Sequence, residues 1–149
     1  MIICDTREQK NEHILKYFDK HKIQYQVKAL DTADYMRLDN PFLRIDRKQN
    51  LSELARNLLS SSDKGRFYRE IRRARENKIH MIILCEHGKG ITSIEDVAKW
   101  ENPYGKVTGR TLREAIYKCA IAYGVEFLFC NRRQTGKRIK EILYSEDVD

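Results

Sequence analysis

The order of apolar and polar residues predicts short buried strands that alternate with amphipathic helices. Apolar runs predict core strands over residues 1–4, 80–85 and 125–130, and alternating apolar side chains predict another over 24–30. Apolar residues three and four positions apart predict helices over 8–22, 50–59, 66–78, 108–123 and 132–144, and Ser93-Ile94-Glu95-Asp96 predicts a capping box that opens a short helix. Because strands and helices alternate, we predict an α/β fold, with a mixed central sheet flanked by helices, in one domain over residues 1–149.

A predicted hairpin places two acidic residues opposite each other. The sequence Asp39-Asn40-Pro41 is a strong turn signal between predicted strands at 35–38 and 42–48. If the hairpin is centred on Asn40, antiparallel pairing places Leu38 opposite Phe42, Met36 opposite Arg44, and Asp34 opposite Asp46. Like charges there destabilise a sheet, by roughly 4 kcal/mol at about 4 Å and an effective dielectric constant near 20. A shared hard cation such as Mg²⁺ explains the pair, whereas a register shifted by one residue would separate it.

A lysine lies on the same face of the predicted strand as one of these acids. Side chains alternate along a strand, so Asp46 and Lys48 point to one face and Arg47 points to the other. Phosphodiester hydrolysis needs such a site, because a metal polarises the phosphate and activates water while a lysine stabilises the developing negative charge. The alternative from spacing alone is an exposed acidic hairpin with a solvated lysine.

The charge of the chain favours a polyanionic partner. Hydrophobic residues make up 41% of the sequence and charged residues 34%, the formal net charge is +7, and no run of about 18 apolar residues predicts a membrane span. Seven basic residues and two acids lie between 64 and 78, and we expect DNA contacts there from Arg66, Arg69, Arg72, Arg73 and Arg75. A weaker candidate is the second run, Arg132, Arg133, Lys137, Arg138 and Lys140. Solvated helix surfaces remain the alternative for both runs.

The cysteines and the N-terminus bear on the compartment. Four cysteines lie in apolar surroundings without the Cys-x-x-Cys spacing of a zinc site, so we predict buried free thiols in a reducing compartment. The N-terminal residues meet the acid Asp5 at once, which is atypical of a signal peptide. We therefore expect a cytoplasmic protein with no membrane partner, associated with the nucleoid or present in a phage-infected cell, and a nuclear location only if the source is eukaryotic.

Four short motifs occur together in a characteristic order. They are Asp5-Thr6-Arg7-Glu8, Ala33-Asp34-Tyr35, Asp46-Arg47-Lys48 and Gly65-Arg66-Phe67-Tyr68. Together with the later segments around 108–112 and 123–130, they make the chain resemble the nuclease domain of the XPF-type structure-specific endonucleases, a branch of the PD-(D/E)xK nucleases. The resemblance covers about residues 1–145, and no single motif carries it.

This resemblance implies a fold, an activity and a set of site residues. The fold would be restriction-endonuclease-like, and the activity Mg²⁺-dependent cleavage of branched, flapped or junction DNA, with Mn²⁺ as a substitute ion. Asp34 and Asp46 would be the metal ligands and Lys48 the catalytic lysine. Asp5 and Glu8 would be further acids near the metal, while Arg7 and Arg47 would contact phosphate or hold the acids. Many members of the family pair through this domain, which implies a homodimer or a heterodimer.

The chain departs from the family pattern at three positions. Ala33 replaces a glycine, Asp46 replaces a glutamate that reaches one methylene further, and an acid four residues after the lysine falls on Ser52, with Glu53 one step later. That acidic position is either weakened or formed by Glu53. Two alternatives to the nuclease stay open: a catalytically inactive DNA-binding or dimerisation subunit of the same fold, and a junction-resolving or restriction-type nuclease from another branch.

Overall fold

The structure is a computed structural model that describes residues 1–61 and 64–145. Within these residues the chain forms six strands: β1 Ile2–Cys4, β2 Tyr25–Val27, β3 Tyr35–Arg37, β4 Asn40–Lys48, β5 His80–Glu86 and β6 Glu126–Cys130. The same residues form five α-helices: α1 Glu12–Lys20, α2 Leu51–Leu59, α3 Lys64–Glu76, α4 Gly109–Tyr123 and α5 Thr135–Leu143. Two short 3₁₀ helices lie at Glu95–Lys99 and Arg132–Gln134.

The strands form one mixed sheet in the order β2-β1-β3-β4-β5-β6. β1 pairs parallel with β2 and antiparallel with β3, β3 pairs antiparallel with β4, and β4, β5 and β6 run parallel. The predicted α/β class and the antiparallel hairpin within a mixed sheet are therefore confirmed. β4 lies between β3 and β5, so a strand with neighbours on both sides carries Asp46 and Lys48.

Helices cover both faces of the sheet. One core packs α2, α3 and α4 against side chains such as Ile83 and Cys85, and the other packs α1 and α5 against side chains such as Ile82 and Leu84. Successive residues of β5 therefore enter opposite cores, which explains why the predicted strand over 80–85 is continuously apolar. Gly136 lets α5 approach α1 closely, because a Cβ there would lie 2.7 Å from the Cβ of Tyr17.

The predicted hairpin register is correct beside the two acids and wrong at the turn. Met36 pairs with Arg44 as predicted, but Arg37 pairs with Asn40, so Leu38 does not face Phe42. The register shifts between Met36 and Arg37. Pro41, which has no N–H to donate to a neighbouring strand, lies between Asn40 and Arg44, in the part of β4 that does not pair with β3. The irregularity is confined to the turn end and leaves the register of the acidic end unchanged.

Local capping explains where several helices begin and end. The side chains of Asn50 and Thr108 accept backbone N–H groups of α2 and α4, and Gly124 ends α4 in the left-handed conformation. The capping box predicted at 93–96 is wrong. Asp96 lies in the first turn of a 3₁₀ helix, and its carboxylate accepts hydrogen bonds from the backbone N–H and the hydroxyl of Thr92. The predicted terminal helix over 132–144 is divided, because the capping box of Asn131 and Gln134 closes a separate 3₁₀ turn.

The cysteines are buried free thiols, as the sequence predicts. Burial raises the pKa of Cys4 and Cys119 to about 12, which suppresses thiolate chemistry. In the described residues, no helix has the length and apolar character needed to cross a bilayer.

Candidate active site

Asp34 and Asp46 form a carboxyl pair at the acidic end of the hairpin. Asp34 immediately precedes β3, and its backbone N–H donates to the carbonyl of Ile45, which fixes its position beside β4. The pairing of Tyr35 with Ile45 and of Met36 with Arg44 places the two acids opposite each other at the end of the β3–β4 ladder. Burial, the charge of Asp46 and a hydrogen bond with its side chain raise the pKa of Asp34 well above its usual value. The repulsion predicted from the register is therefore present in the folded chain.

Lys48 completes this group on the same face of β4. Its Nζ lies 3.1 Å from Oδ2 of Asp46 and 4.9 Å from the centre of the Phe67 ring. Burial of the ammonium opposes its charge, but Asp46, Glu53 and Asp34 outweigh burial and raise the pKa of Lys48. The lysine is therefore protonated at neutral pH, which suits a group that stabilises negative charge rather than one that accepts a proton.

Arg47 points to the opposite face and holds acidic residues together. Its side chain is 1% exposed, its Nε lies 2.7 Å from Glu8, and its Nη1 lies 2.5 Å from Glu86. Its Nη2 also donates to the backbone carbonyl of Gln9. The sequence predicted two roles for Arg47, contacting phosphate or holding acids, and this buried and occupied guanidinium is placed for the second role only.

Sequence reasoning missed Glu86, which lies at the carboxyl end of β5. This buried carboxylate accepts a hydrogen bond from the hydroxyl of Thr135 and lies 2.5 Å from Nε2 of His13, besides its pair with Arg47. The network thus connects α1, α5, β5 and the back of β4. A signal was present in the sequence, because an acid that directly follows a buried apolar strand needs a partner.

Asp5 and Glu8 lie close to the pair but are committed to other partners. Asp5 is buried, its carboxylate lies 3.0 Å from Nε of Arg7, and it accepts the backbone N–H of Leu30. Glu8 is held by Arg47 and by the hydroxyl of Tyr35, and its charge still contributes to raising the pKa of Asp34. The structure therefore places both acids around the site as supports.

The side chain of Arg7 is 72% exposed beside these acids. Its Nη2 donates 2.7 Å to the backbone carbonyl of Leu30, so its position is fixed while much of its guanidinium faces solvent. Of the two arginines assigned to phosphate or to the acids, Arg7 is the one that is accessible to a phosphate.

Ala33 holds a strained conformation directly before Asp34. Its φ angle of 67° lies in the left-handed region, where a residue with a Cβ costs roughly 1–2 kcal/mol. The glycine of the family motif avoids that cost, so the replacement of glycine by Ala33 destabilises the loop although the two side chains differ by only one methyl group. The N–H of Ala33 donates to the carboxylate of Glu70, which ties the loop before Asp34 to helix α3.

Helix α3 presents its arginines on two different sides. Arg66 and Arg73 share a side with Glu70, because residues three and four apart lie together on a helix, and Arg69 is adjacent to both. This side faces the loop that carries Asp34. Arg72 and Arg75 share the side of Tyr68, which packs on Tyr123, and Arg75 donates to the carbonyl of Ala122. All five predicted DNA-contact arginines of this helix are exposed, but only the first side adjoins the acidic pair.

The second basic run is divided between the 3₁₀ helix and α5. Arg132, Arg133, Lys137 and Lys140 are exposed, and Arg138 pairs with Glu141 at 3.5 Å. Arg132 lines a cleft at the carboxyl ends of β4 and β5, Arg133 follows it in the 3₁₀ helix, and Lys137, Arg138 and Lys140 lie on α5. The run is accessible to a polyanion but does not surround the acidic pair.

Glu53 takes up a supporting place near Lys48. Its carboxylate accepts the backbone N–H of Gln49 at 2.7 Å, and its charge contributes to raising the pKa of Lys48. Ser52, at the position of the family acid, lines the cleft instead. Glu53 therefore supplies negative charge beside the lysine while it holds the turn into α2.

The donor set at the site fits a magnesium ion held by two carboxylates. Over residues 1–61 and 64–145, no group of three or more Asp, Glu, His or Cys side chains converges as a metal cluster. Mg²⁺ is commonly bound by one or two carboxylates, with water and substrate phosphate in its other positions. Asp34 and Asp46 are the two carboxylates that would hold such an ion.

Comparison with known proteins decides the family. Residues 4–141 match the ERCC4 domain. The chain belongs to the ERCC4 domain family. Among solved structures it is similar to XPF from Aeropyrum pernix, with a TM-score of 0.73 and 18% identity over 99% of this chain, and to the same protein in a complex with DNA, with a TM-score of 0.71 and 18% identity over 98% of this chain.

These similarities have a defined reach. The chain spans 65% and 64% of the lengths of the two XPF structures, and at 18% identity the likeness shows a shared fold. No curated protein matches the sequence significantly. The XPF resemblance and the fold that it implied are thus confirmed by the ERCC4 family match and by the structural similarity.

Proposed function

We propose that the protein is a metal-dependent DNA endonuclease that hydrolyses phosphodiester bonds at branched, flapped or junction DNA. The observation that carries the proposal is the convergence of Asp34, Asp46 and Lys48, with the two acids opposite each other across the β3–β4 ladder and the ammonium of Lys48 3.1 Å from Asp46. The ERCC4 family and the DNA complex of the XPF from Aeropyrum pernix support DNA as the substrate.

Asp34 and Asp46 would hold Mg²⁺, which when bound supplies a Lewis acid for the phosphate and lowers the pKa of a coordinated water. The backbone N–H of Arg47 donates to Oδ2 of Asp34 at 2.8 Å and so orients that carboxylate. Lys48 keeps its proton at neutral pH and stabilises the negative charge that grows on the phosphate oxygens. Arg7, with its exposed guanidinium fixed beside Asp5, binds the phosphate backbone next to the site.

Arginines that share the Glu70 side of α3 extend this binding surface. A duplex lying along them would place its backbone beside the loop of Asp34, because Glu70 ties that loop to the helix. Such contacts position the nucleic acid without reading its sequence, which suits an enzyme that selects a DNA shape.

Dimerisation through this domain stays a prediction, and sedimentation equilibrium of the purified protein measures it.

Incubation with labelled duplex, flap, fork and four-way DNA, in Mg²⁺ and in EDTA, tests the proposed function. We expect cleavage of at least one branched substrate in Mg²⁺, little cleavage of the plain duplex, and none in EDTA. Binding of all substrates without cleavage of any would contradict the proposal and favour the inactive-subunit alternative.

A further inference from the structure

A cleft with a volume of about 700 Å³ opens at the carboxyl ends of β4 and β5. Arg47 and Gln49 line it, while Asp46 and Lys48 point to the other face of the same strand. Residues from four separated segments complete the walls, including Lys10, Lys89, the segment 99–104 and Arg132. We call it the basic cleft, and it adjoins the strand that carries the proposed active site.

Cations outnumber acids in the lining of the basic cleft, which holds five basic residues against the two acids Glu86 and Glu101. Lys10, Lys89 and Arg132 are exposed, and none forms an ion pair with any residue in the described part of the chain. The ammonium of Lys99 lies 3.2 Å from Asp96 but its side chain remains 76% exposed. Of the two acids in the lining, Glu86 is buried and already paired with Arg47, with His13 in hydrogen-bond contact, and Glu101 is exposed.

An aromatic surface lies among these cations. Trp100 is 9% exposed and meets the ring of His87 edge-on, with ring centres 6.3 Å apart. Tyr104 is 84% exposed, which is unusual for a large aromatic side chain in the absence of a partner. Cations that follow a backbone, together with aromatic rings on which bases stack, are the combination that binds single-stranded nucleic acid.

The backbone presents two of the lysines at a conformational cost. Lys10 and Lys89 both have a φ angle of 52°, and Lys89 lies between Gly88 and Gly90, whose φ angles are also positive. Non-glycine residues in this region are strained and persist where the surrounding structure imposes the conformation. Two of the five such residues in the described chain face this one cleft.

The size of the cleft separates a single strand from a duplex. A volume of about 700 Å³ corresponds to a cube about 9 Å on a side. A B-DNA duplex is wider than its major groove, which alone is about 12 Å wide, so a duplex does not fit into this cleft. We propose that the basic cleft binds a short segment of single-stranded DNA, with its phosphates on Lys10, Lys89 and Arg132 and a base stacked on Tyr104. The choice of DNA rests on the proposed function. In that setting the cleft would hold the unpaired arm of a branched substrate.

Trp100 provides a direct measurement, because it is the one tryptophan of the chain and it lines the cleft. The experiment titrates the full protein in EDTA with a short oligo(dT) and follows tryptophan fluorescence, so that binding is measured without cleavage. We expect saturable quenching by oligo(dT), and little competition from a blunt duplex of the same length.

Two variants test the contacts. Tyr104→Ala should weaken the binding of oligo(dT) by about 5- to 150-fold, the range expected for one lost base–aromatic stack. The double variant Lys89→Ala/Arg132→Ala should lower the slope of log affinity against log salt by about 1.4, at roughly 0.7 per phosphate on a single strand. The matched control Lys16→Ala/Lys20→Ala, which removes two exposed charges from α1, should change neither value.

Absence of quenching, equal effects of the cleft and control variants, or equally strong competition by the duplex would overturn the proposal. The outcome is independent of the nuclease test. If the protein binds oligo(dT) in the cleft but cleaves no DNA, the cleft proposal stands and the proposed nuclease activity fails. If it cleaves branched DNA but does not bind oligo(dT) in the cleft, the nuclease proposal stands and the cleft proposal fails.

Discussion

The backbone N–H of Arg47 donates a 2.8 Å hydrogen bond to Oδ2 of Asp34. Arg47 therefore serves the site twice, since its main chain orients one carboxylate of the pair while its side chain anchors the opposite face of β4 on Glu8 and Glu86. The residue between Asp46 and Lys48 thus holds in place the strand that carries them.

Asp34→Asn tests the carboxyl pair through folding stability. Because the folded-state pKa of Asp34 is raised above its unfolded value, the folded protein binds an extra proton, and stability falls as pH rises from about 4 through the folded pKa. Without metal, the variant should equal the wild type at acid pH and be more stable at neutral pH, by at most about 4 kcal/mol. Urea unfolding in EDTA across pH measures the difference, and a variant that is less stable at neutral pH would contradict the repulsive pair.

Lys48→Met tests the catalytic role of the lysine. Methionine keeps an unbranched side chain of similar length and removes the ammonium that lies over the Phe67 ring, so transition-state stabilisation should be lost while ground-state binding of DNA changes little. We expect cleavage to fall by about 100-fold or more, since groups that stabilise developing charge typically contribute that much. Single-turnover rates and binding isotherms separate the two effects. A variant with the wild-type rate would show that Lys48 is only a partner of Asp46.

Arg47→Ala should act on stability rather than on DNA affinity. The change leaves Glu8 and Glu86 buried without their shared partner, and breaking such a pair typically costs about 3–5 kcal/mol. Chemical denaturation measures this loss. The comparison variant Arg7→Ala, at an exposed guanidinium, should lose less stability and more DNA affinity. The opposite ranking would assign the phosphate contact to Arg47.

The two sides of α3 make a matched pair of double variants. Arg69→Ala/Arg73→Ala should lower the salt slope of DNA binding by about 1 to 1.8, at roughly 0.9 per phosphate on duplex DNA. Arg72→Ala/Arg75→Ala removes the same charge from the side that faces α4 and should change the slope by less than half as much. Filter binding over a range of salt concentrations measures both. Equal slopes for the two variants would show that the helix contributes only its overall charge.

Much of this architecture could be predicted from local sequence. The continuous apolar run of β5, the caps at Asn50 and Gly124, and the register that brings Asp34 to Asp46 depend on neighbouring residues or on strand alternation. The pairing predicted at the turn of the hairpin is wrong, because the register shifts between Met36 and Arg37 and the turn signal in the sequence does not indicate that shift.

The supports of the site could not be derived in the same way. Along the chain, Glu86 lies 73 residues from His13, 49 residues from Thr135 and 39 residues from Arg47. Only the packing of α1 and α5 on the sheet brings these residues together. The two sides of α3 likewise differ through the contact of Glu70 with Ala33, which joins residues 37 positions apart. Long-range polar partners of this kind leave no periodic signal in a sequence.

Cleavage of one labelled flap substrate by the wild type and by Asp46→Asn, each in Mg²⁺ and in EDTA, tests the central claim most directly. Asp39→Asn is the control, because it makes the same change of charge at the exposed turn of the same hairpin. The wild type and the control should cut the flap in Mg²⁺ and not in EDTA, and Asp46→Asn should cut it in neither. Cleavage by Asp46→Asn at the wild-type rate, or cleavage by the wild type in EDTA, would contradict a metal-dependent nuclease site at Asp34 and Asp46.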